Sequence, residues 1–162
     1  MCNLIFAQEN QSYPSLKSLL DEFDSWFLHA TVYADGELRV VVAEGFQAAE
    51  PEDIKIGSHV IKDTYALSTS KDSRLVEVRF RSPIAWQLIN ESFTAADDYE
   101  VREDKSALQV LTQSRYLDYV RANHAWFEYM RGPGKHYRVW TENEVVDVVA
   151  CEPPEIGLSA GG

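Results

Sequence analysis

The stretch His136-Tyr137-Arg138-Val139-Trp140-Thr141-Glu142-Asn143-Glu144-Val145-Val146-Asp147-Val148-Val149-Ala150-Cys151 reads as two extended runs that meet at Glu142-Asn143. In the second run Val145, Asp147 and Val149 alternate with Val146, Val148 and Ala150, so both faces are apolar apart from Asp147. A strand buried on both faces lies inside a sheet, not at its edge. Pro153-Pro154 follows and has no N–H to give to a ladder. The fold is therefore expected to end there, as one domain over residues 1–156 with a frayed tail at 157–162.

Working outward, the two-residue period recurs. Leu28–Tyr33 and Leu38–Ala43 flank Asp35-Gly36, a pair that tolerates the positive φ angles of a tight hairpin. A second hairpin is expected between His59–Leu67 and Arg74–Arg81, with residues 47–57 as a loop and Val76, Val78 and Phe80 on the inner face. Ile84–Glu91 and Ala107–Leu111 are further strands, separated by a polar loop over 94–106. Helical spacing is clearest over residues 14–26, where Leu16, Leu19, Leu20, Phe23 and Phe27 share one stripe and Pro14 suits the first turn. Ser114 is placed to cap a helix over 115–123, with Tyr116, Tyr119 and Val120 on one side. Residues 125–130 suit either a helix or a strand, and Gly132-Pro133-Gly134 ends them. These elements predict an α+β fold: a curved, mostly antiparallel sheet of about six to eight strands with two or three packed helices.

The chain of 162 residues carries 15 Lys and Arg against 26 Asp and Glu, a formal charge of −11. That balance disfavours nucleic-acid backbones and anionic membrane surfaces, which draw their affinity from clustered cations. No apolar run approaches the roughly 18 residues of a membrane span. The start, Met1-Cys2-Asn3-Leu4, lacks a basic region and a long apolar stretch, so a cytoplasmic protein is expected. Cys2 and Cys151 stand near opposite ends with no disulfide spacing, which fits free thiols.

The acidic excess is uneven. Asp97, Asp98, Glu100, Glu103 and Asp104 form one group, and Glu142 and Glu144 begin another that no basic residue follows. Such carboxylates repel anions and speed the approach of a basic protein, and these seven residues are the candidate partner-binding set. Trp26, Trp86, Trp126 and Trp140 either fill the core or form an aromatic surface, depending on exposure. Arg74, Arg79 and Arg81 are expected to pair with nearby acids.

Reactive chemistry is harder to find. Cys2 would become an N-terminal nucleophile if Met1 were removed, but no companion oxyanion motif accompanies it. The histidines His29, His59, His124 and His136 show no metal-ligand spacing, and Asp118 and Glu128 near His124 do not make a triad. Arg131-Gly132-Pro133-Gly134-Lys135 lacks the helix and hydroxyl of a phosphate loop, and reads as a turn. No cofactor or metal is expected.

The segment Ser114-Arg115-Tyr116-Leu117, the hairpin from His136 to Val149, and Glu152-Pro153-Pro154 together resemble a group of small bacterial proteins. Some of that group are similar to the immunity proteins that neutralise secreted toxins. The resemblance implies a non-catalytic acidic module that binds a basic protein partner. The alternative is a small-molecule-binding or hydrolytic protein with a pocket in the sheet, using Cys2 or a His-acid pair. A homo-oligomer burying its tryptophans is a third expectation.

Overall fold

The computed structural model describes residues 18–103 and 106–159. In chain order the elements are α1 (Ser18–Asp21), β1 (Trp26–Ala34), β2 (Glu37–Glu44), β3 (Phe46–Gln47), β4 (Glu52–Ile56), β5 (His59–Thr64), β6 (Leu67–Ser68), β7 (Leu75–Arg81) and β8 (Ala85–Asn90). A single 3-10 turn (Glu91–Phe93) leads to β9 (Val101–Arg102), β10 (Leu108–Gln113), α2 (Arg115–His124), α3 (Trp126–Arg131), β11 (Lys135–Trp140), β12 (Glu144–Ala150) and β13 (Glu155–Leu158). Every strand pairing is antiparallel.

The expected single curved sheet is instead divided. A four-stranded sheet runs β1-β2-β7-β13, a five-stranded sheet runs β8-β12-β11-β10-β9, and β3-β6 and β4-β5 make two small ribbons. The division follows from the apolar faces. Leu38, Val40, Val42, Val76, Val78 and Phe80 of the first sheet share one core cluster with Leu108, Val110, Tyr137, Val139, Val146 and Val148 of the second. Two faces closed on each other bury both sets, whereas one open sheet would leave one set wet. Each such buried side chain contributes about 1.5–3 kcal/mol. On its opposite face the second sheet carries α2 and α3, whose Leu117, Val120 and Phe127 pack with Val149.

The local signals that hold are those written in adjacent residues. Asp35 and Gly36 take φ of 54° and 79°, and close the hairpin of β1 and β2. Ser114 Oγ accepts Leu117 N–H at 3.0 Å and starts α2. Leu117 and Val120 are the buried residues of α2, while Tyr119 is exposed. β12 is flanked by β11 and β8, as its two apolar faces require. The ambiguous segment after α2 is the helix α3, closed by Gly132 at φ 90°.

Several expectations are corrected. The helix over 14–26 survives only as α1; Trp26 and Phe27 already belong to β1, and residues 14–17 lie outside the described residues. Trp26 pairs opposite Glu44, is buried, and donates its indole N–H to Leu20 O at 2.9 Å. Ladder pairing and burial of one large aromatic thus override the helical spacing. β5 pairs with β4, from the expected loop, and not with β7. β7 instead lies between β2 and β13. The loop over 94–106 includes β9, which pairs with β10.

The chain does not end its structure at Pro153-Pro154. Those prolines carry it between sheets, and Glu155–Leu158 add β13 to the edge of the first sheet, so Gly157 and Leu158 are strand residues and not tail. Ser159 N–H still donates to Leu75 O at 2.9 Å, and residues 160–162 lie outside the described residues. No helix among the described residues is long and apolar enough to cross a membrane.

Candidate functional site

Asp147 stands in the middle of β12, buried, with Arg138 of β11 and Gln87 of β8 directly opposite it in the two ladders. Burial opposes its ionisation. The His136 hydrogen bond and the Arg138 guanidinium outweigh that and pull its carboxyl from 3.8 down to about 2. Arg138 Nε donates to Asp147 Oδ1 at 2.7 Å and Gln87 Nε2 to Oδ2 at 2.9 Å. The other end of Arg138 meets Glu100 at 2.9 Å, and Glu100 also takes Arg102.

The same carboxylate faces His136, which is fully buried. His136 Nε2–H donates to Asp147 Oδ1 at 2.8 Å, and Nδ1 accepts the Ser114 hydroxyl at 2.8 Å. This tautomer gives each hydrogen in the chain an acceptor, since the Ser114 oxygen is itself taken by Leu117 N–H. The order Ser–His–Asp is that of a hydrolase triad, yet the serine is 1% exposed and its oxygen caps α2. The arrangement fastens α2 to the sheet. It is the His-acid pair of this fold, on residues 114, 136 and 147, and sequence reading missed it. A signal was present: an acid in an otherwise apolar interior strand needs buried partners.

His124 has neither Asp118 nor Glu128 as a hydrogen-bond partner. Asp118 accepts the Tyr99 hydroxyl at 2.6 Å, Glu128 accepts Arg121 at 2.8 Å, and His124 stacks edge-on against Tyr119. Cys2 lies outside the described residues. Cys151 is free, donates to Gly132 O at 3.4 Å, and has its thiol pushed up by burial, with Arg131 opposing and Glu128 and Glu152 adding to the rise. Among the described residues no group of three His, Cys, Asp or Glu is arranged to hold a metal.

The predicted acidic set is scattered in its roles. Asp97 is held by Arg115 at 2.6 Å and by the Tyr99 backbone, Glu100 is spent on Arg138 and Arg102, and Glu103 takes Lys135 at 2.9 Å. Asp98 is exposed without an ion pair among the described residues, and Asp104 lies outside them. Arg79 and Arg81 pair with Glu155, and Arg74 with Glu22, as expected.

Glu142 has a different setting. The turn after β11 brings it to the rim of a cleft of about 390 Å³, together with Asp21, Asp24 and Glu91. Among the described residues none of these four carboxylates has a cation partner, and no basic side chain lines the cleft. Phe23, Trp26 and Trp140 supply aromatic walls. Gln109 also lines it; the side chain is buried, and its carbonyl oxygen has no hydrogen-bond partner. Glu144 lies one turn away, half-buried and outside the cleft. The cleft thus places acids without a cation partner among the described residues beside aromatic side chains.

The tryptophans divide accordingly. Trp26 is core and Trp140 half-buried in the cleft wall, while Trp86 is exposed beside Tyr33. Trp126 and Tyr129, 74% and 81% exposed, stack on each other on the outside of α3.

Comparison of the chain with protein-family models, with curated proteins and with solved structures finds no match.

Proposed function

We propose that this protein is a non-catalytic acidic binding module that receives a cationic side chain of a basic protein partner in the cleft formed by Asp21, Asp24, Glu91 and Glu142. The observation that carries this reading is the contrast between the two kinds of acid. Asp97, Glu100 and Glu103 are neutralised by the protein's own cations, whereas the four cleft carboxylates have no cation partner among the described residues. An arginine or lysine inserted there gains charge pairing and contact with the aromatic side chains that line the cleft. The net charge of −11 supports long-range steering of such a partner. A basic toxin is the partner class that the sequence resemblance implies, and the module would then act as its inhibitor.

Titration of acetyl-arginine amide, followed by amide NMR shifts, tests the reading. Shifts are expected at Gln109, Trp140 and Glu142. The double variant Asp24→Asn/Glu142→Gln should weaken binding about tenfold and flatten its salt dependence, while Asp97→Asn/Glu103→Gln should leave affinity unchanged. Equal effects of the two double variants, or shifts elsewhere only, would refute it.

A further inference from the structure

A second cavity, of about 330 Å³, shares no residue with the acidic cleft and opens between the two sheets. Its inner wall is Leu108, Val110, Tyr137 and Ile156, all members of the shared core cluster. Pro153 and Pro154, which carry the chain from one sheet to the other, form a stiff side wall. At the rim Lys135 and Glu103 pair at 2.9 Å and cancel each other's charge. A volume of this size lies at the lower end of the range for small-molecule sites, about 300–1,000 Å³.

One polar group faces this apolar space. Tyr137 is only 4% exposed and packs its ring against Phe80, with centroids 5.6 Å apart, yet its hydroxyl has no hydrogen-bond partner among the described residues. Its O–H is therefore free to donate to a molecule held against the lining. Burial, with Glu103 and Cys151 adding to it, pushes the phenol above its ordinary range, so it stays a neutral donor.

We propose that this inter-sheet cavity is a binding site for a small, uncharged, mainly apolar molecule that accepts a hydrogen bond from Tyr137. The self-neutralised rim offers no net charge to select an ion, and the walls reward an aromatic or branched aliphatic body. The volume admits a ligand of about ten to fifteen non-hydrogen atoms.

Acetophenone and its carbonyl-free counterpart α-methylstyrene serve as probes, titrated separately into the full chain and read by amide NMR shifts. Both are expected to shift Val110, Tyr137 and Ile156 and to leave the cleft residues Asp21 and Glu142 unmoved. Tyr137→Phe keeps the cavity shape and should weaken acetophenone about three- to tenfold while leaving α-methylstyrene unchanged. Ile156→Phe fills the cavity and should abolish both; if that variant does not fold, the Tyr137→Phe comparison decides alone. Absence of shifts at the lining residues at millimolar probe, or equal loss of both probes in Tyr137→Phe, overturns the proposal.

Discussion

Asp147→Asn isolates the charge at the centre of the second sheet without changing its shape. The asparagine keeps an acceptor for His136 and Arg138, and Arg138 retains Glu100, so the variant should fold. What it loses is the ionised carboxyl, whose pKa falls from 3.8 to about 2 in the folded protein, and the oxygen that accepts Gln87 Nε2. Each tenfold change in proton affinity corresponds to about 1.4 kcal/mol, so the ionised group contributes about 2 kcal/mol of pH-dependent stability. The folded pKa lies below the unfolded one, so that contribution is complete well above 3.8 and disappears as pH falls toward 2. Urea unfolding of both proteins at pH 7, 5, 4, 3 and 2.5 measures it. The stability gap between them should be constant from pH 7 to 5 and then close by about 2 kcal/mol. Parallel pH profiles for the two proteins would refute the assignment of a depressed carboxyl at this position.

Two further changes probe how the helices are fixed to the sheet. Ser114→Ala removes both the cap of α2 and the hydroxyl facing His136; it should cost about 1–3 kcal/mol in urea unfolding and speed amide exchange in the first turn of α2. Gly134→Ala would place a Cβ 2.8 Å from the Phe127 ring and 3.3 Å from Val149; a loss of about 1–3 kcal/mol with a changed near-ultraviolet aromatic spectrum is expected, and an unchanged melting curve counts against the packing described.

What could be read from the sequence was what neighbouring residues encode. Asp35-Gly36 specifies its turn through φ alone, Ser114 its cap through one hydroxyl, and the valines around Asp147 place their strand by alternation. The missed features are all long-range. Leu75–Arg81 shows one apolar face, but nothing in those seven residues says that β2 and β13, rather than the preceding strand, flank it. The division into two sheets depends on which faces meet, a property of the whole chain. Helical spacing over Leu19, Leu20 and Phe23 was real, but it was outbid where Trp26 found a ladder partner eighteen positions away at Glu44. The acidic runs were visible as composition; which acids keep a free charge was not, because Asp21, Asp24, Glu91 and Glu142 come together only in space.

The ribbons β3-β6 and β4-β5 leave the body and return to it at a single place. Ala43 faces Leu75 across the ladder, and Glu44 N–H donates to Arg74 O at 2.9 Å. From Phe46 to Ser68 the strands pair only with one another, and every residue of β4 is exposed. The remaining framework is thus indifferent to the length of this excursion. Natural variants are free to shorten or lengthen it, and a foreign peptide spliced between Ile56 and His59 would be displayed at its tip without disturbing the layers that hold the rest together.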